Sequence, residues 1–224
     1  SKETWYALSG VSSYKDTNGK PVINGYIQLY NTGVGQSQPL EGFCPCFGNM
    51  KVKGDELTSI ISFIEKKANS NKYTLIMSEV SPGQNNRYKV TADMTIQEND
   101  FPVNANFVEA FGLIFISTNL GFLNIYECTK AALIFRCKAS EDACLFSARN
   151  SKTGGFFYIN KSGKLLSANI EKSNLIPFLM GYCKNIEGIQ EILTRNNLQM
   201  LSIESRGNTL TTCAQKILWF VYSH

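Results

Sequence analysis

Chemistry in a protein chain needs nucleophiles, bases or metal ligands at workable spacing, and this sequence supplies few of them. Its one histidine is His224, the last residue, where a frayed end makes a poor general base. Ser-His-Asp and Cys-His constellations are therefore excluded, and histidine-ligated zinc sites with them. The seven cysteines, Cys44, Cys46, Cys128, Cys137, Cys144, Cys183 and Cys213, form no C-x-x-C pair. An odd number of thiols scattered among apolar neighbours suits a reduced, cytosolic chain better than a disulfide framework. Cys44-Pro45-Cys46 puts two thiols on one side of an extended segment, but with no second pair a structural role is the stronger reading than metal binding. Asp93, Glu98 and Asp100 read as isolated, solvated carboxylates at turns, and Lys51, Lys53, Lys66 and Lys67 as an ordinary charged rim. Gly154-Gly155 is too short for a phosphate loop and reads as a turn. No catalytic residue, metal site or cofactor is expected.

The elements that would position any site come from composition and pattern. With 224 residues and 43% hydrophobic content, the chain can bury a core of one domain or two small ones. Its 22 basic and 18 acidic residues leave a net charge of +4 and are interleaved. That distribution indicates no nucleic-acid stripe, while a modest positive field would help capture acidic partners. No charged-then-apolar leader opens the sequence and no run of eighteen apolar residues is present; the best stretch, Phe107 to Ile116, contains Glu109. A cytoplasmic chain with no direct membrane insertion is the expectation.

Up to about residue 170 the signal is short β segments rich in Val, Ile, Phe and Tyr, separated by Gly, Asn, Ser and Lys turns. Strands are predicted at Trp5 to Val11, Val22 to Tyr30, Leu57 to Ile64, Tyr73 to Val80, Tyr88 to Ile96, Leu113 to Thr118, Phe122 to Cys128, Phe156 to Ile159 and Lys164 to Ile170. A turn followed by alternating apolar positions recurs, and the residues after the turn, Tyr26, Tyr73, Phe122 and Lys164, follow one another at 47, 49 and 42 residues. Periods in the forties with several strands each indicate propeller blades; a β-sandwich with evenly spaced hairpins is the alternative. Beyond Ile170, Ser173 can cap a helix through Tyr182, a second helical stretch runs from Glu187 to Arg195, and Gln199 to His224 is not legible as either type.

Eight segments together resemble the amino-terminal β-propeller of the clathrin heavy chain. They begin at Trp5-Tyr6-Ala7-Leu8, Gly25-Tyr26-Ile27-Gln28, Ser37-Gln38-Pro39-Leu40, Asn99-Asp100-Phe101-Pro102, Leu120-Gly121-Phe122-Leu123, Asn160-Lys161-Ser162-Gly163, Asn174-Leu175-Ile176-Pro177 and Arg195-Asn196-Asn197-Leu198. The resemblance runs from about residue 2 to residue 198. It implies a mainly β chain, an incomplete seven-bladed β-propeller of about three and a half to four blades, followed by short α-helices of a linker or helical-repeat region. Residues 1–171 would be the partial propeller, with blade boundaries near 33, 98 and 140, and residues 172–224 a helical linker, divergent after about 198. The chain would start inside the fourth blade.

The resemblance further implies a non-enzymatic vesicle-coat component on the cytosolic face of coated pits and vesicles. It would dock adaptor and accessory proteins through short leucine-rich linear motifs and meet other clathrin chains in the full-length protein. The groove between the fourth and fifth blades falls within this chain. Carried over position by position, it would use Trp5 and Leu29, with Gln36, Ser37, Gln38 and Leu40 from the segment that follows. Trp5 offers an apolar wall with an indole N–H, Leu29 and Leu40 line pockets for the ligand's leucines, and Gln38 both donates to and accepts from peptide backbone. Val34 stands where the family has a basic residue. From spacing alone, Trp5 and Leu29 serve equally well as blade core, whereas Gln38, just before Pro39, reads as exposed and extended. A propeller-based enzyme needs two carboxylates converging in a central funnel, which half a ring does not hold; a scaffold without a peptide site is the other alternative.

Overall fold

Alternating apolar positions and frequent turn residues favour antiparallel meanders, and that is what the chain forms. The computed structural model describes residues 4–15, 17–19, 21–35, 37–52, 56–67, 72–80, 88–150, 155–170 and 218–223. The first sheet holds β1 (Trp5–Lys15), β2 (Pro21–Asn31) and β3 (Ser37–Glu41) in the order β1-β2-β3. The second holds β4 (Phe43–Lys51), β5 (Leu57–Lys66), β6 (Tyr73–Glu79) and β7 (Lys89–Met94) in chain order. The third is β8 (Pro102–Val108), β9 (Leu113–Thr118), β10 (Phe122–Glu127) and β11 (Ala132–Lys138). The fourth is β12 (Cys144–Asn150), β13 (Gly155–Asn160), β14 (Leu165–Ile170) and β15 (Leu218–Ser223). All the strand pairs within these sheets are antiparallel.

The sheets stack face to face in chain order, each pair sharing one hydrophobic cluster. Ile27 and Leu29 of the first sheet pack on Ile61, Phe63 and Ile76 of the second. Ile60, Ile64, Leu75 and Met77 on the other face of the second meet Phe107, Ile114, Ile116 and Tyr126 of the third. Phe115, Leu123 and Ile125 on the third sheet's far face meet Phe156, Tyr158 and Leu166 of the fourth, with the Phe115 and Phe156 rings 5.1 Å apart. The leading strand β8 adjoins both β4 and β12, so these sheets fan about a common middle. Because side chains alternate across a strand, each middle sheet feeds two cores.

The sequence repeat fixes the position of the first sheet within this series. Tyr73 and Phe122 open β6 and β10, and Lys164 directly precedes β14; these are the third strands of their sheets. Tyr26 lies in β2, so β2 corresponds to a third strand and β1 to a second. The first sheet thus has no described counterpart to β4, β8 or β12, and one edge of β1 has no strand beside it among the described residues.

Several expectations differ from this arrangement. The predicted blade boundary near 33 falls in the turn after β2, because Ser37–Glu41 returns to pair with Tyr26–Tyr30 and the first sheet runs on to Glu41. Positions 98 and 140 lie in the connections between sheets. The helices read at 173–182 and 187–195 lie outside the described residues, and Leu218–Ser223, assigned above to the helical linker, instead pairs with β14. Six described strands were not predicted: β3, β4, β8, β11, β12 and β15. In β4, Pro45, Gly48 and a register shift between Phe43 and Cys46 interrupt the alternation. Cys44 there has φ 53°, so the two thiols do not simply share one side of an extended strand. Asp100, expected to be solvated, is buried: its Oδ1 accepts from Phe101 N–H at 2.9 Å and Leu120 N–H at 2.8 Å, tying the connection between the second and third sheets.

Candidate functional site: the seam between the first two sheets

Antiparallel register decides which residues meet at this seam. Leu29 stands opposite Gln38 and Ile27 opposite Leu40, so these four side chains share the face of the first sheet turned toward the second. A cavity of about 160 Å³ opens there. Leu29, Gln38 and Leu40 line it from one sheet; Ile61, Phe63, Ile76, Ser78, Glu79, Val80 and Lys89 line it from the other. The floor is apolar: Leu29 is 4% exposed, and Ile61, Phe63 and Ile76 are buried. Polar groups stand around it, with Gln38 exposed on β3 and Lys89 exposed on β7. The Ser78 hydroxyl donates to the Tyr88 carbonyl at 3.4 Å, and Glu79 N–H donates to the same carbonyl at 2.9 Å. An apolar slot with amide and charged groups at its rim is the form that holds side chains of an extended segment while pairing its backbone.

The six residues named from the sequence separate into groups. Leu29, Gln38 and Leu40 converge on the seam cavity. Leu29 is at once buried core and cavity wall, so its two readings are compatible. Trp5 packs on the same hydrophobic cluster but lines another opening, with Phe47, Asn49, Asn106, Glu109 and Arg149 among its walls and a volume of about 410 Å³. There the Glu109 carboxylate accepts from the Asn49 N–H at 3.0 Å and its side-chain amide at 3.1 Å, and stands 3.6 Å from Arg149. Ser37 is exposed at the start of β3 and does not line the seam cavity, and Gln36 lies outside the described residues. Val34 is 47% exposed in the turn between β2 and β3, its N–H donating to Asn31 Oδ1 at 3.2 Å. The second sheet's contribution was missed; Ile61, Phe63 and Ile76 lie in segments legible as strands, but which neighbouring sheet they face is not written in their alternation.

The remaining chemistry-bearing groups are structural. Burial pushes the Cys44 thiol up to about 12, with Cys46 and Cys144 nearby adding to the effect. Burial likewise pushes Cys46 up to about 11, although its Sγ is 3.0 Å from the Ser62 hydroxyl. Thiols held protonated in this way are poor nucleophiles and poor metal ligands. Among the described residues no group of three or more His, Cys, Asp or Glu side chains can hold a metal ion. Lys67 pairs with Asp93 at 2.9 Å on the surface, and that contact holds the Asp93 carboxyl below its usual range. Among the described residues no helix is long and apolar enough to cross a membrane.

Successive antiparallel sheets laid face on face, with their leading strands about a common middle, are blades of a β-propeller, and the seam between two of them holds an open apolar slot. No protein-family model matches the chain. It is 32% identical over 204 residues to clathrin heavy chain 1 of Arabidopsis thaliana, and 29% identical over 203 residues to the clathrin heavy chain of Dictyostelium discoideum. Each match covers 88% of this chain and 12% of the relative. Over this stretch the chain is similar to clathrin heavy chains, and it spans 12% of the length of the curated relatives it matches. Among solved structures it is similar to the β-propeller domain of Cps50 (Swd1) from Myceliophteria thermophila, at TM-score 0.44 and 8% identity, covering 72% of this chain and 54% of that one.

Proposed function

We propose that this chain is a non-enzymatic docking segment of a clathrin-type vesicle coat, working at the cytosolic face of coated pits and vesicles. Its ligand is an extended, leucine-bearing motif of an adaptor or accessory protein. The observation that supports this reading is the cavity between the first two sheets, with Leu29 and Leu40 in its wall, Phe63 opposite and Gln38 at its rim. Two leucine side chains of a peptide fill the apolar slot, and the Gln38 amide pairs with one N–H and one C=O of the ligand backbone. A contact this small gives a dissociation constant in the range of roughly 1–100 μM.

The test is fluorescence anisotropy with a labelled peptide carrying a leucine-rich, glycine-containing motif. Gln38→Glu removes the amide donor and places a charge over the slot, so affinity drops by at least about tenfold. Unchanged affinity in that variant rules out the seam as the site and leaves the fold intact. A peptide array with no motif preference would turn the reading toward a scaffold without a peptide site.

A further inference from the structure

The third sheet carries an amide that its surroundings leave unanswered. In β10, Leu123 and Ile125 pack toward the fourth sheet and Tyr126 toward the second, so alternation turns Asn124 toward the second sheet as well. Asn124 is 1% exposed, and neither its Oδ1 nor its Nδ2 has a hydrogen-bond partner. Its register partners are Ile116 on β9 and Arg136 on β11. Ile116 is wholly buried and apolar, whereas Arg136 brings a second unanswered group: its Nε is buried and likewise has no acceptor. The Arg136 guanidinium lies 4.5 Å from the centre of the Phe122 ring, two residues back along β10, and that contact holds the side chain across the strand. One residue beyond Asn124, between Ile125 and Tyr126, the ladder from β10 to β11 shifts register, a bulge that loosens the pairing locally.

Two donating groups and one accepting oxygen therefore stand side by side on adjoining strands, in a seam otherwise lined by residues such as Ile116, Tyr126, Leu75 and Met77. Burying an amide in such surroundings without a partner is costly, and native folds answer such groups with protein or with ordered water. Asn124 has no route outward, because β9 lies on one side of its strand and β11 on the other. The mixture of groups selects the occupant. An anion satisfies the two donors but faces the Asn124 Oδ1, and a cation satisfies that oxygen but meets the guanidinium; water accepts from N–H groups and donates to an amide oxygen. We propose that the seam between the second and third sheets holds ordered internal water, which accepts from Arg136 Nε–H and Asn124 Nδ2–H and donates to Asn124 Oδ1. It joins β10 to β11 beside the bulge and fills the polar part of this seam from within. In the first seam, by contrast, the amide is that of Gln38, exposed on β3. The inference does not rest on the peptide reading of that first seam.

The test begins with the unaltered 224-residue chain, by NMR cross-relaxation between water and side-chain protons. Cross-peaks from a long-lived water to both the Asn124 amide protons and the Arg136 Nε–H are expected; their absence overturns the proposal. Asn124→Leu keeps the size of the side chain and removes its polar atoms. If water is held there, that replacement expels it, abolishes the cross-peak at Arg136 Nε–H and raises the unfolding equilibrium constant roughly tenfold or more in urea titration. If the amide is simply unpaired, the same replacement is neutral or stabilising, which overturns the proposal. Arg136→Met keeps an apolar stem beside Phe122 and removes the donor. Because both side chains hold the same water, the double variant should lose less than the two single variants together, and strict additivity overturns the shared site. A crystal structure in which Asn124 bonds directly to a protein group in place of water overturns it too.

Discussion

The first and third sheets carry similar alternating sequences and end in very different environments. In the third, β9 is buried at all six positions and β10 at all but its first, since a sheet lies against each face. In the first, none of the eleven β1 residues is fully buried, because only one face of that sheet has a neighbour among the described residues. Alternation specifies that a strand has two distinct faces; it does not specify that both will be covered. The same difference separates core from candidate site. A face pressed flat on its neighbour contributes stability alone, while the seam beside the three-stranded first sheet leaves room for Gln38 and a cavity of about 160 Å³.

The sharpest way to break this comparison is to truncate equivalent apolar residues in the two sheets. Phe115→Ala removes a ring that is 1% exposed and tilted against Phe156, so a loss of about 3–5 kcal/mol is expected. Leu8→Ala, at a position 69% exposed, should change the stability of the single chain by no more than about 0.5 kcal/mol. Urea unfolding of both variants checks the pair. Similar losses would mean that the first sheet's outer face is covered after all.

Two turn glycines sharpen the comparison at the level of single contacts. Gly121 has φ 82°, and a Cβ there would lie 2.0 Å from the Ser140 carbonyl oxygen, a backbone atom that cannot move aside cheaply. Gly163 has φ 80° with nothing within 4 Å. Gly121→Ala therefore combines left-handed strain with a clash and should cost about 2–4 kcal/mol. Gly163→Ala meets the strain alone, about 1 kcal/mol, and the difference between their thermal midpoints measures the packing term. Equal costs would show that the third sheet's edge yields as freely as an open turn.

The smallest expected effect is a pH dependence confined to the inner sheets. Cys44, Cys46 and Cys137 are pushed up by burial to about 12, about 11 and about 11 from an ordinary 9.0. Raised values mean the folded state keeps protons that the unfolded chain releases. Stability from this source is therefore complete below pH 9 and declines as pH rises from 9 toward 11–12. Melting temperatures at pH 8, 9 and 10 should fall in that order, and Cys44→Ala should flatten the slope. Peptide mapping after iodoacetamide treatment at pH 8 should find Cys44 and Cys46 modified far more slowly than in the urea-unfolded chain. Equal rates would place these thiols at the surface, as the first sheet's outer residues are.

Strands in the middle of each sheet were legible and leading strands were not, for a physical reason. Strand β10, Phe122–Glu127, follows a turn and carries regular alternation, so it can be read locally. Strand β8 reads PVNANFV, with two asparagines, because a leading strand borders both a seam and the middle of the fan. Asn106 there donates to the Ser147 hydroxyl of β12 at 2.5 Å, a role visible only once two sheets are adjacent. At the candidate site, Gln38 was legible as exposed and extended because it precedes Pro39, whereas the opening that Trp5 lines depends on the path of β4 beneath it, which no local pattern gives. Lys89 and Phe63 lie in segments legible as strands, but nothing local marked them as lining a seam.

What the sequence determined alone was the kind of element, the period of about forty-five residues and a resemblance carried by eight short segments, since these depend on side-chain alternation and turn chemistry within a few residues. Tertiary structure decided where the first sheet ends, which of its faces stays open and which residues share a cavity. Those outcomes follow from registers such as Leu29 opposite Gln38 and from the stacking of one sheet on the next. They are set by contacts between segments distant in the chain, and no local pattern encodes the neighbour a face will meet.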